Sequence, residues 1–375
     1  MKQILAVDLI SQYERIKSEI DEAVLQIVGS GNYINGKAVA DFSDALSALI
    51  GTKFAVPCAN CTDALQLSIM ALELQTGDEV IVPNFTYIAA AEAIAMLGLV
   101  PVLVDIDPKT FNIDPDKIAS AISVKTKAII PVHLFGQSCD MAPILKIAKE
   151  NNLFVIEDNA QSIGAEYTFP DGKKRKTGNM GVIGALSFFP TKNLGCMGDG
   201  GALLTNDQTL AEKLRKLTLH GQSQKYVHEY VGCNSRLDTL QAAILNVKIR
   251  HLDEFTQARQ NLAKRYDDAL KSRPDLLDIP FRNPASTHVY NQYTVIVKAG
   301  KRDDLKKYLL ENGIPSTVYY PLPLNRQPAL RGIFKTGSDL SESEKISASV
   351  LSLPMHTEMD EQQTEYIIEK LLKYE

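Results

Sequence analysis

The chain has 375 residues, 45% of them hydrophobic and 23% charged, with 22 glycines and 17 prolines. Such a composition can bury a sizeable core, and it excludes a disordered, collagen-like or disulfide-stapled miniature fold. A formal charge of -5, from 40 Lys and Arg against 45 Asp and Glu, leaves no basic excess to hold a nucleic acid, although a few arginines or helix N-termini still suffice for a small anion.

The first twenty residues are amphipathic, carry Asp8 and Glu14, and lack the cationic start and apolar run of a secretory signal. Apolar stretches farther on stop well short of the ~18 residues of a membrane span, so a cytoplasmic enzyme that does not engage a membrane is expected. Short β-branched runs at 54–56, 79–83, 100–105, 128–133, 154–158, 185–189 and 201–205 predict strands. Helical patterns at 63–74, 87–97, 115–121 and 142–151 lie between several of them. Strands joined by crossover helices pair mostly in parallel, which predicts an α/β sheet covered on both faces, with its chemistry at the carboxyl ends of the strands.

A long helical stretch follows from Asp238 to about Leu270, then Pro274, Pro280 and Pro284 punctuate the chain. A strand at 292–297, a helix at 302–312, a strand at 316–319 and a closing helix at 361–373 predict a small α+β domain. The expected division is 1–250 for the large domain and 251–375 for the small one. Five scattered cysteines (Cys58, Cys61, Cys139, Cys196 and Cys233) read as reduced thiols. Cys58 and Cys61 form a C-x-x-C without the second pair a zinc site needs, so no metal is expected.

Four strand ends carry chemistry. Lys192 follows the apolar run ending in Ser187-Phe-Phe and precedes the glycine-rich Gly198-Asp-Gly-Gly201; a lysine partly desolvated there has a lowered pKa and can form a Schiff base, whereas on that segment alone a surface lysine in a turn is the commoner outcome. Glu157 and Asp158 end another strand. An acid there can face the pyridine nitrogen of a pyridoxal ring, or it can cap the helix expected to follow. Asn60-Cys61-Thr62 opens a helix whose free N–H groups suit a phosphate, and Tyr87 offers an aromatic face to a flat ring.

Together with Gly31-Asn-Tyr33, Gly77-Asp-Glu-Val80, Pro131-Val-His-Leu-Phe-Gly136, Glu157-Asp-Asn-Ala-Gln161 and Gly232-Cys-Asn-Ser-Arg236-Leu-Asp238, these segments resemble the DegT/DnrJ/EryC1/StrS sugar aminotransferases over essentially the whole chain. The resemblance implies the pyridoxal-phosphate transferase fold of type I, aspartate aminotransferase-like, with a large mostly parallel sheet domain and a small α+β C-terminal domain. It implies that Lys192 binds pyridoxal 5'-phosphate and shuttles a proton, with Asp158 on the pyridine nitrogen and Gln161 on the ring hydroxyl. It further places Ser187 and the backbone of Cys61 and Thr62 on the phosphate, Tyr87 over the ring, and Asn234 on the phosphate of a neighbouring subunit in a homodimer with shared sites. Two departures stand out: Cys61 occupies the glycine of the usual Ser-Gly-Thr, and Asn325 replaces the usual histidine of Tyr-Pro-x-Pro-Leu-His.

Within the family, Leu194-Gly-Cys-Met-Gly-Asp-Gly-Gly201, His220-Gly-Gln222 and the run from Arg236 to Ala243 resemble members that aminate C3 of a UDP-linked 2-acetamido-3-keto uronic acid for O-antigen or surface polysaccharide, with L-glutamate as donor. Arg236, Tyr319 and Tyr320 are then the expected substrate contacts, and Arg236 paired with Asp238 or a helix-end acid is the purely structural counterpart. The same pattern could serve a dTDP-linked 3-keto-6-deoxyhexose, or a non-catalytic regulator that binds cofactor or sugar.

Overall fold

A computed structural model of the chain describes residues 2–375. Three helices come first, α1 (Leu9–Arg15), α2 (Lys17–Ser30) and α3 (Lys37–Ile50). The second and third stop at Gly31 and Gly51, whose φ of 67° and 82° are left-handed values that glycine adopts without penalty. Strands and helices then alternate: β1 (Phe54–Cys58), α4 (Cys61–Ala71), β2 (Glu79–Pro83), α5 (Ala89–Met96), β3 (Val100–Val104), α6 (Pro115–Ala121), β4 (Thr126–Ile129), α7 (Met141–Glu150) and β5 (Phe154–Asp158). A hairpin of β6 (Glu166–Thr168) and β7 (Lys174–Lys176) leads to β8 (Ile183–Ser187), β9 (Gly201–Thr205) and α8 (Gln208–Leu217). A short second hairpin, β10 (Gln222–Gln224) and β11 (Val227–His228), precedes α9 (Thr239–Lys248) and α10 (Leu252–Leu270). The remainder comprises β12 (Leu277–Asp278), β13 (Tyr293–Val297), α11 (Arg302–Glu311), β14 (Lys335–Thr336), α12 (Ser341–Ser349), β15 (Val350–Leu353) and α13 (Glu361–Lys373).

The large sheet runs β1-β9-β8-β5-β4-β2-β3-β14. Neighbours from β8 to β14 are parallel, while β9 is antiparallel to both β1 and β8. All five residues of β2 are buried, as a strand covered by helices on both faces requires. The fold is therefore the mostly parallel α/β sheet that the strand–helix alternation led one to expect, with the smaller antiparallel unit that the resemblance implied. A separate antiparallel sheet, β12-β13-β15, carries α10, α11 and α13.

Several expected elements shift for identifiable reasons. The strand expected to reach His133 is continuous only to Ile129; Pro131, which has no N–H to donate, interrupts it, and Val132 rejoins β5 through a parallel bridge to Asp158. The strand expected to reach Phe189 ends at Ser187, where the chain turns so that the Lys192 N–H donates to the Phe189 carbonyl at 2.8 Å. The long helix is broken at 249–251 by a tight 3₁₀ turn. Residues 316–319 form no strand; Thr317 makes a single bridge to Ser352, and the segment crosses from the small sheet toward the large one.

Several buried clusters cover the faces of the large sheet and one packs on the three-stranded sheet, and the chain crosses the proposed boundary at 250 in both directions. Ile4 packs with Leu262, Tyr266 and Tyr293 in the small core. Leu324, Leu330, Leu340 and Ile346 return to the large core, and β14 pairs with the edge of its sheet. We keep 1–250 and 251–375 as a proposed division, with those two exchanges.

Candidate active site

Alternation along β5 sends neighbouring side chains to opposite faces, so Glu157 and Asp158 have different surroundings. Glu157 is fully buried and accepts the N–H groups of Gly178, Met180 and Gly181 at 2.8, 2.6 and 2.6 Å. Its fourth donor is His133: the ring's Nδ1 accepts from the Cys139 N–H at 3.0 Å, so Nε2 carries the proton that reaches Glu157 at 2.9 Å. The sequence reading missed this clamp. Its only trace there is that two adjacent acids on one strand cannot face the same way. Neither acid caps a helix, because the chain after β5 turns into the β6–β7 hairpin.

Asp158 faces the other side and is nearly unserved. Its Oδ1 accepts from the Ala160 N–H at 3.0 Å and lies 4.0 Å from the Cys61 thiol, and no other protein donor reaches the carboxylate among the described residues. Burial raises its pKa, against the opposing pull of the Ala160 N–H, Lys192 and His133. Lys192, half-buried in the turn after β8, lies within the field of Asp158 and Cys61. Loss of water lowers its pKa, which these two groups partly counter. Burial and the charge of Asp158 push the Cys61 thiol well up, so it stays protonated.

The start of α4 sits beside this pair. Asn60 caps the helix by accepting from the Asp63 N–H at 2.8 Å, which leaves the first two N–H groups, those of Cys61 and Thr62, without an intrahelical partner. Gly201 lets β9 approach this point: a Cβ there would lie 2.4 Å from the Asn60 carbonyl carbon and 2.9 Å from the Cys61 nitrogen. Ser187, paired with Gly201 across the ladder, ends β8 at the same place.

Gln161 is oriented at both ends of its amide. Oε1 accepts from the Phe135 N–H at 2.7 Å, and Nε2 donates to the Tyr320 hydroxyl at 3.0 Å. Tyr87, 61% exposed, and Tyr320 are tilted neighbours with centroids 6.2 Å apart, and Tyr319 stands next to Tyr320 at 5.8 Å. Asn325 pairs reciprocally with Asn84, which ties residues 320–325 to the loop carrying Tyr87. Asn234 and Arg236 stand outside this cluster. Asn234 is exposed and bridges Leu219, while Arg236 lines a groove of about 420 Å³ with Ser43, Asp44 and Arg215 along β1. No hydrogen bond or ion pair joins either residue to Lys192, Asp158 or Gln161 among the described residues, nor does Arg236 pair with Asp238.

The donor set fits pyridoxal phosphate. A desolvated amine suits its aldehyde, a buried acceptor with few partners suits a protonated pyridine nitrogen, and an open helix N-terminus beside a serine suits its phosphate. This donor set is that of a pyridoxal-phosphate-dependent enzyme. Residues 14–372 match the DegT/DnrJ/EryC1/StrS aminotransferase family, and the chain belongs to it.

Among relatives, it is 45% identical to the UDP-2-acetamido-2-deoxy-3-oxo-D-glucuronate aminotransferase of Pseudomonas aeruginosa over 94% of this chain and 95% of that one. It is also 45% identical to a pleiotropic regulatory protein of Geobacillus stearothermophilus, over 98% and 97% of the two chains. A dTDP-3-amino-3,6-dideoxy-alpha-D-galactopyranose transaminase of Aneurinibacillus thermoaerophilus is 42% identical over 96% of each. Among solved structures, a family aminotransferase from Brucella abortus superposes with a TM-score of 0.93 at 38% identity, covering 98% of both chains. NtdA of Bacillus subtilis, with its cofactor PMP bound, superposes at 0.86 and 32% identity over 95% of this chain and 81% of that one. The chain is thus a sugar aminotransferase of this family, and the two relatives named for a reaction act on UDP- and dTDP-linked sugars.

Proposed function

We propose that the enzyme transfers the amino group of L-glutamate to C3 of a UDP-linked 2-acetamido-2-deoxy-3-oxo-glucuronate, for O-antigen or surface polysaccharide synthesis. The observation that carries the chemistry is Lys192, desolvated beside a buried Asp158 at the strand ends. Pyridoxal phosphate, when bound, supplies an electron sink for the carbon that gains or loses the amino group. Lys192 holds it through Nζ and carries a proton to and from that carbon, which requires an amine whose pKa burial has brought down. Asp158 keeps the pyridine nitrogen protonated, and Gln161 donates to the ring hydroxyl. The N–H groups of Cys61 and Thr62, with the Ser187 hydroxyl, bind the phosphate; a cysteine backbone serves there as well as a glycine's.

Tyr87 covers the ring. Its exposure, together with that of Tyr226 (83%) and Val231 (89%) on and beside the β10–β11 hairpin, supports a homodimer in which Asn234 reaches the partner's phosphate. Arg236, whose guanidinium has no ion-pair partner among the described residues, with Tyr319 and Tyr320, is assigned to the nucleotide sugar. The uronate is supported by the similarity to the Pseudomonas relative. A dTDP-linked 3-keto-6-deoxyhexose is the second reading, supported by the 42% relative.

Adding UDP-2-acetamido-3-amino-2,3-dideoxyglucuronate to the cofactor-loaded protein should bleach its visible absorption, and 2-oxoglutarate should restore it. Bleaching only by a dTDP-3-amino-6-deoxyhexose would replace the uronate with the second reading. A loaded protein that answers to no amino sugar would be a regulator.

A further inference from the structure

The segment from Thr317 to Asn325 is a strap across the site. At one end the backbones of Thr317 and Ser352 exchange two hydrogen bonds, of 3.1 and 2.8 Å, on the small sheet. At the other, the Leu324 N–H donates to the Asn84 carbonyl at 2.8 Å and Asn325 pairs with the Asn84 side chain. Asn325, the residue that departs from the family pattern, is in this chain a clamp and also donates to Glu344 at 3.0 Å. Between the clamps, Tyr320 packs edge-on against Phe85 at 6.0 Å and meets Gln161 through its hydroxyl.

An amide nitrogen has two hydrogens. The Phe135 N–H fixes which end of the Gln161 amide is oxygen, and the Tyr320 hydroxyl takes one of the two hydrogens at the other end. One Nε2–H remains, and its direction is set by the first two bonds. Burial raises the Tyr320 pKa, so its hydroxyl stays protonated and accepts from Gln161 as a neutral group. The titratable groups facing it are Asp158, Tyr87 and Tyr319.

We propose that Tyr320, beyond any contact with sugar, is a positioning residue on the cofactor side: it aims the remaining Gln161 hydrogen at the ring hydroxyl and couples that hydrogen bond to the strap. The inference rests on the reading that Gln161 serves the ring hydroxyl. A donor to that oxygen favours the form in which it carries unshared negative charge, which is the deprotonated form of the lysine-bound cofactor. Weakening the donor therefore raises the pH at which the visible band titrates.

The test is a pH titration of that band in the sugar-free holoenzyme, for the native protein, Tyr320→Phe, Gln161→Ala and the double variant. Phenylalanine keeps the packing on Phe85 and Tyr87, so the fold is retained. The expected result is a midpoint raised by at least about half a pH unit in Tyr320→Phe, a larger rise in Gln161→Ala, and a double variant no different from Gln161→Ala. A midpoint unchanged in Tyr320→Phe but raised in Gln161→Ala overturns the proposal, leaving Tyr320 a sugar contact seen only in the KM for sugar. Unchanged midpoints in both variants overturn the reading of Gln161 itself. Additive shifts overturn the coupling.

Discussion

Glu157 and Asp158 are adjacent on one strand, equally carboxylic and both buried, yet one is saturated and the other is not. Glu157 has four donors and holds the turn at 178–181 to the end of β5. Asp158 has one backbone N–H and a distant thiol. A buried carboxylate with few partners is costly, so it persists where a ligand completes it, whereas a saturated one belongs to the framework. The same contrast separates the open start of α4 from the well-served Glu79, which Lys335 and Ser123 both reach.

That comparison is sharpest in a pair of isosteric variants. Asp158→Asn should lower turnover by about 10²-fold or more, because it removes the charge proposed to face the ring nitrogen, while the apo-protein keeps its melting temperature or gains slightly. Glu157→Gln should do the reverse. It turns an acceptor of four bonds into a group with two donors of its own, and a loss of about 3 kcal/mol in denaturant titration is expected, with kcat preserved in the folded fraction. Equal stability losses in the two variants would break the distinction.

Buried imidazoles extend the contrast to the small domain. Burial lowers His288 to about 3 and His356 to about 4, with Arg282 reinforcing the first and Asp8 opposing the second. Both must gain a proton on unfolding below their ordinary value of 6.5, so the stability they contribute is complete above that pH and drains away as pH falls. Between pH 7 and 5 each should account for up to about 2 kcal/mol, and His288→Gln or His356→Gln should flatten the pH dependence of the melting temperature. The smallest effect is expected for Tyr87→Ala. This side chain is mostly exposed, so stability should change by less than about 0.5 kcal/mol, while pyridoxal phosphate, measured by fluorescence titration, should bind roughly 5-fold more weakly.

Much of the large domain was legible because its signals are local. The strands at 79–83, 154–158 and 201–205 and the helix at 115–121 lie where periodicity put them, as does the closing helix at 361–373 of the small domain. What could not be read depends on distant partners. β14 is two residues long and exists only because the edge of β3 accepts it, and β15 and α12 likewise take their shape from contacts made across the molecule. At the site, strand ends drew attention to Lys192 and to the Glu157–Asp158 pair and the family resemblance singled out Lys192 and Asp158, whereas the facing of Glu157 toward His133 and the Asn84–Asn325 clamp required the packed structure. Asn234 and Arg236 were implied by the family resemblance, and within one chain they lie outside the cluster.

The central claim is that Lys192 is the amine that holds the cofactor. The protein carries a second desolvated lysine: Lys248 on α9 is buried, and burial lowers its pKa to about 8, with only Cys196 opposing. Loading with pyridoxal phosphate, reducing with borohydride and mapping the label by peptide mass spectrometry discriminates between them. The account predicts the label on Lys192, and a Lys192→Ala protein that folds, takes no label and loses at least about 10³-fold in turnover. A label on Lys248, or an active Lys192→Ala enzyme, would contradict it.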